Sequence, residues 1–587
     1  MSEKRPQTWF EMKDLRRRLY AKAAWIPLRV SETKIFEDGA EEIIAIGSTA
    51  ILNAYRHIGD KLGWHEVGIG HDAGPYAFQD KRYKNAETFL HNERIAIGAD
   101  LVFVQNVGAG IPNKWHINQD LLIALNLVEE GDYWVRPEEA YTPVIRTQKD
   151  TDGNLRSIEI KSEFLADYLA ARNMSLRLSC YRERHAVYSD ASYITWGDGG
   201  YVEESENQKF EARLFEVSAD GGPLGSVAVF EIWRTDVDEE EDVPVFGLET
   251  DENTAHRTMS YERSGPKAYR VEGAFWRDEW VEPAATSERV RQDDPKEFPS
   301  FIIEASGQKE TSNNLHSEDI GRYLWFSPNV INTILGMRGS SIGWYTADTG
   351  WISFSNNWPT HFGVNSIGLI NVYAYDVAKV AQWQQRIWAG QNVTPDGAVS
   401  GELLSSQMKS RPARTKAPEG MLIAIMDEID KAAQDWKGIS IFTKHASTAD
   451  ILQKVHRFRS VDRDGLLALA KDIARLTADR IDASAIQKIV SPPKGERWGG
   501  IKSLEKLVAT LIPASEARSM LTPIVGAYEL RLGDAHLPSG KLQDAFAMVD
   551  IDPEAIPIEQ GRQLIQAVAA SLARICEMIR AAPSLTS

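Results

Sequence analysis

The sequence predicts an α+β multidomain protein: an α/β N-terminal domain, a strand-rich central region with inserted helices, and an all-α C-terminal bundle. Three observations carry this. A chain of 587 residues, 43% of them hydrophobic, exceeds one compact core, and about three domains is the expectation for that length. The apolar period changes from alternation to about 3.6 residues beyond residue 420. Between the two textures lies SSQMKSRPARTKAPEG, Ser405 to Gly420, basic and Pro/Ser-rich without apolar periodicity, which predicts a linker. The expected domains are therefore residues 1–145, 146–405 and 421–587, with a linker over 406–420.

The elements follow in order. Within 1–145, the second half of Ile44 to Leu62 has a helical pattern, whereas IAIGADLVFVQ, from Ile95, alternates and β-branches as a strand does. In 146–405, short apolar runs lie between Gly, Asp, Asn and Pro turns: SVAVFEIW from Ser226, GWISFS from Gly350, LINVYAY from Leu369. A helix is inserted at Ser162 to Arg172, with Ser162 as its expected N-cap and Phe164, Leu165, Tyr168 and Leu169 as its apolar face. The acidic run DVDEEEDVPVFGLETDEN, Asp236 to Asn253, predicts a solvated loop, since it lacks the alternating spacing and central glycine of a calcium loop. In 421–587 three apolar stripes at helical spacing predict a bundle: Leu422, Ile425, Met426, Ile429; Leu466, Leu467, Leu469, Ile473, Leu476; and Leu564, Ile565, Val568, Leu572, Ile575, Ile579.

Composition narrows the function classes. The two cysteines, Cys180 and Cys576, leave no disulfide framework and no multi-thiolate zinc site. No apolar run reaches the ~18 residues of a membrane helix, and MSEKRPQTWFEMKDLRRRLYAK lacks the apolar centre of a signal peptide, so a cytoplasmic protein without membrane contact is expected. A net charge of −18 opposes non-specific attachment to phosphate backbones, so any nucleic-acid contact has to be a local patch. No Walker A loop, dinucleotide glycine fingerprint or G-x-S-x-G elbow is present. No cofactor and no metal are expected.

The stretch YELRLGDAHLPSG, Tyr528 to Gly540, carries the chemistry. A helix is expected from a cap at Ser515, with Met520, Leu521, Ile524, Val525 and Tyr528 buried. Pro523 either kinks it or restarts it behind Thr522. Gly533 then offers the left-handed conformation that ends helices, and Pro538 opposes continuation. Arg531 would sit in the last turn and His536 just past the break. Five residues apart in an unbroken helix, the two would point about 140° away from each other, and the break would bring them together. An imidazole can take the 2′-hydroxyl proton of RNA and return one to the leaving oxygen, while a guanidinium binds the scissile phosphate.

Arg531-Leu-Gly-Asp-Ala-His536 resembles the signature of the HEPN superfamily, an arginine and a histidine separated by four to six residues near the end of a bundle helix. Of the 12 histidines, His536 alone has an arginine at that distance. The resemblance implies a metal-independent endoribonuclease, of the toxin or anti-phage defence kind, regulated by its N-terminal sensing regions. It implies Arg531 and His536 as the catalytic pair, RNA such as tRNA as substrate, an unidentified trigger, and a homodimer or higher oligomer that completes a composite site. Members often carry a polar residue directly after the arginine; here Leu532 stands there, and Asp534 is the candidate substitute. RYLWFSPNV and WQQRIWAGQNVTPDG are similar to segments of uncharacterised bacterial proteins. The alternative expectation is a non-catalytic binding or scaffolding protein that dimerises through its bundle, with Arg531 merely complementing the helix terminus.

Further candidates have plainer readings. His65, His71 and Asp72, with Glu87 and His91, follow no known zinc spacing and predict loop positions. Trp344, Trp351, Trp358, Trp383 and Trp388 can stack bases, although aromatic side chains at strand and helix spacing more often fill cores. Arg411, Arg414 and Lys416 are expected as solvated linker residues.

Overall fold

A computed structural model describes residues 4–69, 75–92, 94–107, 112–218, 225–234, 254–263, 266–294, 297–316, 322–355, 358–444, 448–536 and 539–583. The acidic run expected as a loop, together with His71 and Asp72, lies outside them. The fold is α+β and multidomain, strand-rich through its first two-thirds and helical beyond. The chain divides into two compact units, residues 1–136 with 142–296, and residues 137–141 with 297–587.

The first unit opens with a short helix α1 (Gln7–Glu11) and is built on a twelve-stranded sheet. Its strands are β1 (Trp25–Ile35), β2 (Glu41–Leu52), β3 (Thr88–His91), β4 (Ile95–Ala99), β5 (Val128–Glu130), β6 (Tyr133–Arg136), β7 (Thr142–Lys149), β8 (Leu155–Lys161), β9 (Met174–Tyr188), β10 (Gly200–Ser205), β11 (Gln208–Ser218) and β12 (Lys267–Val281). Their order is β10-β11-β12-β9-β2-β1-β8-β7-β6-β5, with β4 paired to β2 and β3, and these pairings are antiparallel. The boundary expected at residue 145 falls inside β7, whose Ile145 opposes Ile160, so strands from both sides of it share one sheet. Hydrogen bonding between strands far apart in sequence carries no composition change for a reader of the sequence to find.

β2 runs to Leu52, and only short helical turns over Asn53–Tyr55 and Arg56–Gly59 answer the helical pattern read there. The inserted helix α2 (Ser162–Arg172) has the expected bounds and buries Phe164, Leu165, Tyr168 and Leu169. Its N-cap is Lys161 rather than Ser162, which is already the first helical residue and donates its N–H to the Ala24 carbonyl. On the same face of the sheet, α1 approaches β12 so closely that a Cβ on Gly273 would stand 2.0 Å from the Phe10 carbonyl oxygen, so only glycine fits.

The second unit joins a six-stranded antiparallel sheet to a helical bundle. The strands are β13 (Tyr323–Phe326), β14 (Ser341–Trp344), β15 (Thr349–Ser353), β16 (Thr360–Val364), β17 (Ile370–Tyr373) and β18 (Asn392–Val393), ordered β14-β15-β16-β17-β13-β18. Helices α3 (Asn329–Leu335), α4 (Ala374–Lys379) and α5 (Gln382–Gly390) cover it, and Trp388 packs against Phe326 at 4.8 Å between ring centres. A further helix α6 (Gly401–Lys409), capped by Ser400, and the first residues of α7 (Pro418–Lys437) occupy both ends of the expected linker. The stretch between them is anchored too: the Thr415 hydroxyl donates to Glu402 at 2.7 Å and accepts from the Ala347 N–H. The linker expectation failed because short polar segments pack through hydrogen bonds, which leave no apolar periodicity.

The bundle proper is α7, α8 (Arg463–Leu476), α9 (Gly500–Val508), α10 (Ala514–His536), α11 (Ser539–Met548) and α12 (Pro557–Arg580). All three predicted apolar stripes are buried in one continuous core. No helix among the described residues is long and apolar enough to cross a membrane.

Candidate functional site

Helix α10 holds the arginine and the histidine singled out in the sequence. It begins at Ala514, so Ser515 lies inside the first turn rather than capping it, and it passes through Pro523 without a restart. Its core face is Ala517, Met520, Leu521, Ile524, Ala527 and Leu530, at spacings of three and four residues, while Val525 and Tyr528 are half-buried. The backbone then stays helical through Gly533 as far as His536. The expected break at Gly533 is therefore absent: six helical residues from Arg531 onward continue the hydrogen-bond ladder that a left-handed glycine would have ended. In this helix Arg531 and His536 start from Cα positions rotated by about 140° and separated by about 7.5 Å along the axis. The side chains of Leu532, Asp534 and His536 lie outside the described residues.

Arg531 is ion-paired. Its Nη1 donates to the Asp479 carboxylate at 2.5 Å, and its guanidinium lies 5.5 Å from the centre of the Tyr528 ring. Asp479 belongs to the single turn Ala478–Arg480 that follows α8. The arginine side chain is 31% exposed, which leaves part of the fork open to solvent beside its carboxylate partner.

A second constellation was not read from the sequence. On the seam between sheet and bundle, within the second unit, a cleft of about 590 Å³ is lined by Asp348, Glu402, Arg457, Glu559 and Arg562 among others. Arg457, 2% exposed, forms a two-pronged pair with Glu419, Nε to Oε1 at 2.8 Å and Nη2 to Oε2 at 3.0 Å. It also lies 4.3 Å over the Trp344 ring and 3.6 Å from Asp348. Arg562 is likewise gripped by both oxygens of Glu559. The two arginines are thus neutralised, and Asp348 and Glu402 supply the cleft's remaining charge.

Those two carboxyls are driven apart. Burial, reinforced by the neighbouring Glu402, raises the Asp348 pKa above the ordinary aspartate value, with Arg457 and Arg562 opposing. Burial pulls Glu402 the same way, but hydrogen bonds from the Thr346 and Thr415 hydroxyls and from the Asp348 N–H, the last at 3.0 Å, outweigh it and lower its pKa. The two carboxyls thus differ in how readily they take up a proton, Asp348 the more readily of the two. Asp348, Glu402, Glu419 and Arg457 stand too far apart in the chain for any spacing rule to have connected them.

The remaining candidates scatter. Trp388 is fully buried, Trp383 is packed against the same core, and Trp344 stacks on Phe458 at 5.6 Å. Trp351 is half-buried, whereas Trp358 is 92% exposed. Arg411, Arg414 and Lys416 are exposed. His65 lies in a short π-helical turn, Trp64–Ile69, and the His91 ring contacts Asn92. Among the described residues no group of three or more His, Cys, Asp or Glu side chains is placed to hold a metal ion. Compared with family models, with curated proteins and with solved structures, the chain shows no match.

Proposed function

We propose that the chain is a metal-independent endoribonuclease of the HEPN type, in which Arg531 binds the scissile phosphate and His536 moves the proton, with Asp534 as an auxiliary polar group. The observation that supports this reading is the placement of Arg531. It lies one residue past Leu530, the last described core position of a bundle helix, 31% exposed, with its guanidinium held at the surface by Asp479. A phosphate arriving there exchanges one anionic partner for another, so the arginine need not be desolvated afresh. Because the helix is unbroken, the arginine of one copy and the histidine of a second are the natural composite pair, which makes a homodimer the working unit. Regulation by the strand-rich first two-thirds, in a toxin or phage-defence role, belongs to the same reading by analogy alone.

The non-catalytic alternative has its own support, since an unbroken helix with its arginine tied to a nearby aspartate is also what a purely structural residue looks like. One experiment separates the two. Purified protein is incubated with total RNA and with tRNA in excess EDTA, wild type beside Arg531→Ala and His536→Ala. Cleavage by wild type alone, leaving 2′,3′-cyclic phosphate ends, is the result expected of the ribonuclease. Intact RNA in all three favours the scaffold, and equal cleavage by all three rejects the site.

A further inference from the structure

Trp358 is out of place for a structural residue. Its indole is 92% exposed, so it contributes almost nothing to the core, and it stands at the mouth of a cleft of about 410 Å³ in the second unit. The walls come from three elements that converge at this end of the sheet. β16 supplies His361, α4 supplies Asp376 and Lys379, and the first turn of α5 supplies Gln384. Asp376 Oδ2 stands 3.9 Å from His361 Nδ1, and a second exposed ring, Tyr345, lies 5.8 Å from the His361 ring. Lys379 Nζ is poised over the Tyr375 ring at 4.0 Å.

Gln384 is the second, independent sign of a ligand. It is fully buried, it lines the cleft, and its Oε1 accepts from the Ala381 N–H at 3.2 Å, which leaves Nε2 as the unused end of the amide. The Nε2 left over has no hydrogen-bond partner among the described residues. A buried donor without an acceptor is costly, and it becomes favourable when a ligand carbonyl or ring nitrogen reaches it after a small side-chain shift. Asp376 adds a second polar group to the same cleft, its carboxyl raised above the ordinary aspartate value by burial against the pull of His361 and Lys379.

We propose that this cleft binds one unpaired nucleotide, with the base stacked on Trp358, the base edge against Gln384 and Asp376, and the phosphate at Lys379. The volume suits a nucleotide-sized ligand. A planar π-face explains the exposed indole, and a hydrogen-bonding edge explains the orphan amide. A single phosphate is what one lysine can neutralise, and a long duplex is disfavoured by the net charge of −18. The inference goes beyond the ribonuclease reading and survives its failure, because none of these residues belongs to the Arg531–His536 site.

The test is calorimetric titration of the full chain with the four nucleoside monophosphates, the matching nucleosides, short 2′-O-methyl oligoribonucleotides that resist cleavage, and maltose as an uncharged ring ligand. Binding of nucleotides should weaken about 5- to 150-fold in Trp358→Ala, which removes only an exposed side chain. Lys379→Gln should weaken nucleotides and leave nucleosides unchanged. Oligoribonucleotides binding much more tightly than monophosphates would identify an RNA strand as the source, and the reverse a free nucleotide; either supports the cleft. No binding at millimolar nucleotide, unchanged binding in Trp358→Ala, or maltose binding as tightly as the nucleotides overturns it.

Discussion

Arg457→Met should unfold the seam between the sheet and the bundle of the second unit at a lower temperature. The substitution keeps a long apolar stem but removes the guanidinium from Glu419, which is 6% exposed and loses both prongs of its pair. Removing one partner of a buried ion pair costs about 3–5 kcal/mol, because the other charge stays behind without compensation. The stacking over Trp344 is lost as well, so the upper half of that range is expected. For a unit of roughly 300 residues the unfolding entropy is about 0.6 kcal/mol per degree, which turns the loss into a fall in Tm of about 6–8 °C. Calorimetry of the full chain reads it as a shift of one transition. Glu419→Gln combined with Arg457→Met removes both charges and should recover roughly half of the loss. A single variant that shifts by less than about 2 °C, or a double variant that falls below the single one, would refute the claim that this buried pair stabilises the unit.

Three further predictions concern neighbouring groups and the proposed site. Burial pushes the His456 imidazole down to about 4, with Glu419 opposing and Arg459 assisting, so the folded chain holds it neutral while the unfolded chain protonates it near 6.5. The unfolded state thus binds more protons between those values, and stability falls by about 3 kcal/mol as pH drops from about 6.5 to about 4; His456→Leu should flatten that part of a denaturation profile. Asp479→Ala should change Tm by no more than about 2 °C, as an exposed pair warrants, and should preserve or raise RNA cleavage, since it frees Arg531; loss of cleavage would mean that Asp479 positions the arginine. If the active centre combines two copies, mixing the inactive Arg531→Ala and His536→Ala proteins should restore about a quarter of wild-type cleavage, and no recovery would place both residues in one chain.

Regular elements with a strong apolar period were legible. The three bundle stripes became one core, and the helix Ser162–Arg172 has the bounds its pattern gives. What escaped was everything decided by hydrogen bonds across long sequence separations. β7 carries the expected domain boundary because its partners on either side come from both supposed domains. Thr415 holds down a segment that reads as linker because its partners, Glu402 and Ala347, share no periodicity with it. The Asp348–Glu402–Arg457 cleft is of the same kind, since burial alone makes those charges interact. Among the tryptophans the sequence could not separate Trp388, the most buried, from Trp358, the most exposed, because both lie in the same aromatic-rich texture.

Gly533 decides how the proposed catalytic pair would work. Helix α10 contains it, yet glycine in a helix is about 1 kcal/mol less favourable than alanine, and Leu530 is the last described core residue before it. Opening the turn at Gly533 would therefore cost little, and a phosphate that binds the opened form better can make it dominant. Gly533→Ala raises that cost by about 0.5–1 kcal/mol and lowers the opened population about 2- to 5-fold. If Arg531 and His536 converge within one chain only when the helix opens, the cleavage rate constant kcat/KM should fall by the same factor. If two copies each contribute one residue from unbroken helices, it should hold or rise. A fall in Gly533→Ala together with no recovery in the mixing experiment would establish the single-chain route, whereas quarter-activity recovery with kcat/KM held in Gly533→Ala would establish the two-copy route; unchanged cleavage in Arg531→Ala or His536→Ala would remove the pair as the reacting centre.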